Sequence, residues 1–109
     1  MDSKAARIRA LNDELRQHHT GGTVLITAGI QQLGTSRVAK VLKAVSTFDA
    51  FTSDNDPYEE HDCAILEVEG ERILFKIDYY DLDLSFASSD PSDPAVTRRI
   101  LTVMLAAEY

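Results

Sequence analysis

At 109 residues, with 44% hydrophobic and 27% charged positions, the chain is sized for one soluble globular domain, expected to span residues 1–109, and not for two domains or a disordered chain. No apolar run approaches the ~18 residues of a membrane helix, the first residues are polar and charged rather than a signal peptide, and the single Cys63 excludes an internal disulfide, so the expected compartment is the cytoplasm. The net charge of −7 is unevenly spread: residues 49–93 hold fourteen of the eighteen acids and only Arg72 and Lys76 as bases, a balance of −12 between flanks that carry +5. That distribution argues against phosphate-backbone binding through the middle segment and for a basic partner or cations, unless the basic flanks fold back onto the acids within the monomer.

In chain order, Ala6, Ile8, Leu11 and Leu15 recur at near-helical spacing among charged residues between Ser3 and His19, and Gly21 and Gly22 follow as a stop, which predicts an amphipathic helix. Thr23 to Ala28 is short, β-branched and apolar, the pattern of a buried strand. Thr35 or Ser36 can cap a second helix that buries Val38, Val41, Leu42 and Val45, exposes Arg37, Lys40 and Lys43, and ends near Thr47. Two further runs, Asp62 to Glu69 and Arg72 to Tyr80, meet through Glu69, Gly70 and Glu71 as a hairpin. Alternation places Ala64, Leu66 and Val68 on one face with Ile73, Phe75 and Ile77, whichever pair centres the turn. Asp93 before Pro94 reads as a helix start, and Val96, Ile100, Val103, Met104 and Ala107 as the buried stripe of a last helix. The expected fold is therefore α+β, a small antiparallel or mixed sheet of about three strands with three helices in the order α-β-α-β-β-α.

The densest chemistry lies in the stretch DNDPYEEHD, from Asp54 to Asp62. It fails as an EF-hand loop, because Tyr58, Glu59 and Ile65 fall where that loop needs different residues, but Asp54, Asp56, Glu60 and Asp62 could form a looser divalent site. Asn55 and Asp56 before Pro57 are also turn formers whose side chains can hold the loop by bonding its own amides. Zinc has only Cys63, His61, His18 and His19 to draw on, without ligand spacing. His61 and Cys63 are two residues apart, which would put them on one side of a strand as a base and a nucleophile. In one hairpin register His61 instead lies opposite Asp78, an arrangement that could orient the imidazole as a general base, and in the other opposite Tyr80. No Gly-rich phosphate loop occurs and no cofactor is expected. Phe48 and Phe51 are expected in the core.

The patterns FDAFTSDNDPYEEHD, FKIDYYD and DPSDPAVTRRILTVMLAAEY resemble a family of short uncharacterised proteins, a domain of unknown function met mainly on plasmids, phages and other mobile elements of alphaproteobacteria and their neighbours. The resemblance runs from Leu11 to Tyr109. This chain departs from the pattern at Glu59, where the family usually has glycine, and at Cys63 and Ala64, where it has an aromatic and glycine, which counts against a cysteine nucleophile. The family implies no activity. Joined to the acidic segment, the mobile-element setting it implies leads to one principal expectation. The protein is a non-enzyme that binds and inhibits a basic host protein, such as a nucleic-acid-binding defence complex of the CRISPR or restriction type. The expected binding residues are Asp54, Asp56, Glu59, Glu60, Asp81 and Asp83. Two alternatives stand beside it: a metal-dependent hydrolase or nuclease accessory using His61 with neighbouring carboxylates, and a homodimeric structural module joined through the last helix, including Leu101 and Leu105.

Overall fold

The computed structural model describes residues 3–109. Helix α1 spans Ser3–His18, strand β1 Thr23–Ile26, helix α2 Ala28–Gln31 and helix α3 Thr35–Thr47; then come β2 Cys63–Val68, β3 Glu71–Tyr80, β4 Arg98–Leu105 and a 3-10 turn, Ala106–Glu108. The fold is α+β. The four strands form one mixed sheet in the order β1-β4-β3-β2, with β1 parallel to β4 and the other two pairings antiparallel. Among the described residues no helix is long and apolar enough to cross a membrane.

The expected last helix is instead β4, and the element order changes accordingly. Leu101 and Val103 are fully buried on the helix-covered face while Met104 is 6% exposed on the other. The run from Ile100 to Leu105 is apolar but for Thr102, a pattern that periodicity cannot separate from a helix, although Ile100 and Thr102 stay half-buried on the outer face of the strand. Asp93 caps only a turn, accepting from Ala95 N at 2.9 Å. This removes the basis for dimerisation through a helical face, since Leu101 lies in the core and Leu105 packs against it. Two smaller differences concern the first connection. The β1 run stops at Ile26 because Thr27 caps the short α2, and Gly34 rather than Thr35 or Ser36 precedes α3, with φ 93° that favours glycine.

The β2–β3 turn centres on Glu69 and Gly70, both with positive φ, so Val68 pairs with Glu71 and Cys63 with Lys76. Core rows follow across the sheet: Ala64, Phe75, Val103 and Ile26 in one, Ile77, Leu101 and Val24 in the next. Leu15, Ile30, Val41 and Val45 from the helices close over them, with Phe48 and Phe51 packed alongside. Gly22 permits the close return from α1 to β1, because a Cβ there would fall 2.6 Å from the Arg99 carbonyl oxygen.

Candidate functional site at the acidic end of the sheet

Since β2 and β3 are joined at Glu69 and Gly70, the start of β2 and the end of β3 lie together at the opposite end of the sheet. Two acidic loops leave the sheet there: residues 48–62, leading into β2, and residues 81–97, joining β3 to β4.

The first loop is organised around its own polar side chains. Asn55 Oδ1 accepts from Thr52 N at 2.7 Å, and Asn55 Nδ2 donates to Ala50 O at 3.1 Å. Asp56 is 5% exposed, and its Oδ1 accepts from Glu60 N and His61 N, each at 3.1 Å. Glu59 and His61 both sit at positive φ, 58° and 55°, so the chain doubles back and His61 leaves the line of β2. Its ring then stacks on Phe51, centroids 3.9 Å apart and planes 6° from parallel. His61 Nδ1 lies 2.9 Å from Asp13 Oδ1 on α1, and Nε2 lies 3.6 Å from Asp56 Oδ2.

Beneath this loop, α1 supplies a buried polar seam. Arg16, 2% exposed, donates to the carbonyls of Val45, Ser46 and Phe48 and to Asp13 Oδ1, and lies 5.3 Å from the Phe51 ring centroid. It thereby satisfies the free carbonyls where α3 ends. Asn12, fully buried, donates to Glu60 O and to the Tyr79 hydroxyl and accepts from Arg99 Nε at 2.9 Å. Tyr79 in turn donates to Glu60 Oε1 at 2.8 Å. Arg99 also reaches the Pro91 carbonyl and lies over the Tyr79 ring. Burial pushes the Tyr79 hydroxyl far above its ordinary value and lowers that of Arg99, so the phenol stays protonated as a donor while the guanidinium remains a cation among neutral and acidic partners.

The expected residues separate into two groups. Asp56 and Glu60 are engaged inside the protein, whereas Asp54, Glu59 and Asp83 are exposed and Asp81 is half-buried, accepting from Ser85 N. His61 does not meet Asp78, which accepts from Lys76 Nζ at 2.6 Å. Nor does it meet Cys63 on one side: His61 faces α1, while the β2 alternation places Cys63 on the opposite face of the sheet, beside Lys76 and Asp78 in a cleft of about 530 Å³. Burial raises the Cys63 thiol, and Asp62 adds to the effect, so the nucleophilic thiolate is disfavoured. Among the described residues no three His, Cys, Asp or Glu side chains converge as metal ligands. Sequence reasoning missed Asn12, Asp13, Arg16 and Arg99; the available signal was that Ile8, Asn12, Leu15 and Arg16 share one helical stripe.

A family model described as a protein of unknown function (DUF3768) matches residues 26–108. The chain belongs to the DUF3768 family. The DUF3768 match begins at Ile26 rather than Leu11, so it contains the acidic loops, His61, Tyr79 and Arg99 but not the α1 residues that clamp them. No curated protein and no solved structure matches the chain.

The charges are balanced differently at the two ends of the sheet. At the hairpin end, Lys40 and Arg37 of α3 pair with Glu69 at 2.7 and 3.7 Å, and Arg37 with Glu71 at 3.4 Å. At the loop end, Lys4 pairs with Asp90 at 3.3 Å, but Asp49, Asp54, Glu59, Asp81, Asp83 and Asp93 form no ion pair with any described residue. The bases at this end are turned to backbone oxygens instead: Arg9 donates to Glu59 O, Arg98 to Leu82 O and Arg7 to Ser92 O. Asp62 registers the crowding, since burial raises its carboxyl above the ordinary range and Glu60, Asp56 and Asp78 raise it further.

Proposed function

We propose that the protein is a small non-enzymatic binding protein whose acidic end occupies a basic site on another protein. The observation that carries this reading is the set of six carboxylates at the loop end of the sheet that form no ion pair among the described residues, whereas Glu69 and Glu71 at the hairpin turn are paired with Arg37 and Lys40. A net negative field held on hydrogen-bonded loops steers a cationic partner and stands in for phosphates in a groove meant for nucleic acid. With the mobile-element setting that the family resemblance implies, the fitting target is a nucleic-acid-binding host defence complex and the effect is inhibition. The docking carboxylates are Asp54, Glu59, Asp81 and Asp83. Asp56 and Glu60 support the loop that presents them.

The test is capture from host lysate by the wild type and by a D54K/E59K/D83K variant. The expected result is a basic nucleic-acid-binding protein that elutes with salt, competes with DNA, and is not captured by the variant. Equal capture by both proteins would refute the reading.

A further inference from the structure

The second acidic loop carries a feature that charge alone does not account for. In the six residues DLDLSF, from Asp81 to Phe86, acids alternate with large apolar side chains, and Leu82, Leu84 and Phe86 are 51%, 51% and 76% exposed. The loop is not a loose one. Tyr80 and Ala87 form an antiparallel bridge, Asp81 N donates to Phe86 O at 2.8 Å, and Ser88 N donates to Tyr79 O at 3.0 Å, which closes its base. Leu84 N donates to Asp81 O and Ser85 N to Asp81 Oδ1, each at 3.0 Å, while Arg98 Nε holds Leu82 O at 2.7 Å from β4. Inside this frame Leu84 has φ 59°, in the left-handed region that a branched apolar side chain seldom adopts. The loop thus combines two unfavourable features, three apolar side chains in water and a strained leucine. Both are accounted for if these side chains are covered when the protein is in use.

We propose that Leu82, Leu84 and Phe86 form a preformed apolar finger that inserts into an apolar groove rimmed by Lys or Arg on a partner protein. Charge complementarity selects this occupant: Asp81 and Asp83 flank the apolar residues and have no ion pair among the described residues, so they meet a cationic rim as the side chains enter. The same acids disfavour an anionic lipid surface. A rigid aromatic and aliphatic tip loses little conformational freedom on binding, which is how a few residues come to dominate an interface. The inference rests on the acidic-end reading and names the part of that end which becomes desolvated.

The probe is a random twelve-residue peptide library selected against the immobilised wild-type protein, with enriched peptides measured on purified variants. The expected winners combine aromatic or aliphatic residues with Lys or Arg, and Phe86→Ala, at an exposed position, weakens them about tenfold or more. Leu84→Gly relieves the positive φ, so it is expected to lower binding while leaving the thermal midpoint unchanged or higher, a split that a merely structural role for the loop would not produce. Winners that are purely basic, unaffected by Phe86→Ala but lost on D81K/D83K, would overturn the finger and leave the acidic reading standing. No enrichment at all would count against both. Concentration-dependent self-association in sedimentation that Phe86→Ala abolishes would place the finger against a second copy and overturn the basic-rimmed partner.

Discussion

Arg16 shows how one side chain sets the geometry of the acidic end. It is 2% exposed and joins the C-terminus of α3, Asp13 and the Phe51 ring, and through Asp13 it touches the histidine of the loop. Removing one partner from a buried ionic arrangement leaves the others unpaired, at about 3–5 kcal/mol, against a total stability of ~5–15 kcal/mol for a domain. Arg16→Ala is therefore expected to lose a large part of the folding free energy, about 3–5 kcal/mol, read as a shift of the urea midpoint; a shift worth under about 1 kcal/mol would contradict this assignment. Asp62 makes the opposite contribution. Its carboxyl is raised in the folded state by burial and then by the neighbouring acids, so the native protein binds a proton more readily than the unfolded chain. The resulting destabilisation is absent below the ordinary value of 3.8 and fully present once pH has risen past the raised value. Asp62→Asn is expected to raise the thermal midpoint at pH 7 and to make no difference below that ordinary value. A variant less stable than wild type at pH 7 would show that the charge has a favourable partner.

At the scale of elements, the DNDPYEEH loop divides into scaffold and display. Asp56 accepts from two backbone amides and faces His61, whereas Asp54 touches no hydrogen-bond partner among the described residues. Asp56→Ala leaves buried donors unsatisfied and is expected to cost about 1–3 kcal/mol. Asp54→Ala is expected to fall within about 0.5 kcal/mol of wild type. Chemical denaturation of the pair checks both; equal effects would mean that the two aspartates have the same role. The turn chemistry of this loop was legible in Asn55, Asp56 and Pro57, as were α1, α3 and the parity of the β2–β3 hairpin, because each has a period or a punctuation that local physics enforces. β4 was not legible, since Ile100 and Met104 put apolar side chains on its outer face and so remove from the sequence the alternation that marks strands. The clamp was not legible either. Asn12 and Arg16 lie on the buried stripe of α1, but in a pattern that separates only polar from apolar they read as outward-facing residues.

For the whole molecule the question is whether the unpaired carboxylates are a structural necessity or a cost borne for binding. Like charges gathered at one end repel one another and disfavour the compact state. Were they needed for folding, each would show a donor or a cation, as Asp56, Asp13 and Glu69 do. Asp54, Glu59 and Asp83 show no ion pair among the described residues, and all three are exposed. Reversing them to lysine shifts the charge by two at each position and takes the net charge from −7 to −1. The D54K/E59K/D83K protein is therefore expected to be at least as stable as wild type at low ionic strength. The difference should shrink as salt rises toward ~1 M, where the screening length falls to ~3 Å. Thermal unfolding in a salt series measures this directly. A variant that unfolds at lower temperature than wild type, at low salt, would mean that these acids hold the fold together and that their exposure says nothing about a partner. A variant that is equally or more stable yet fails to capture the basic partner separates function from folding and attributes the acidic end to binding.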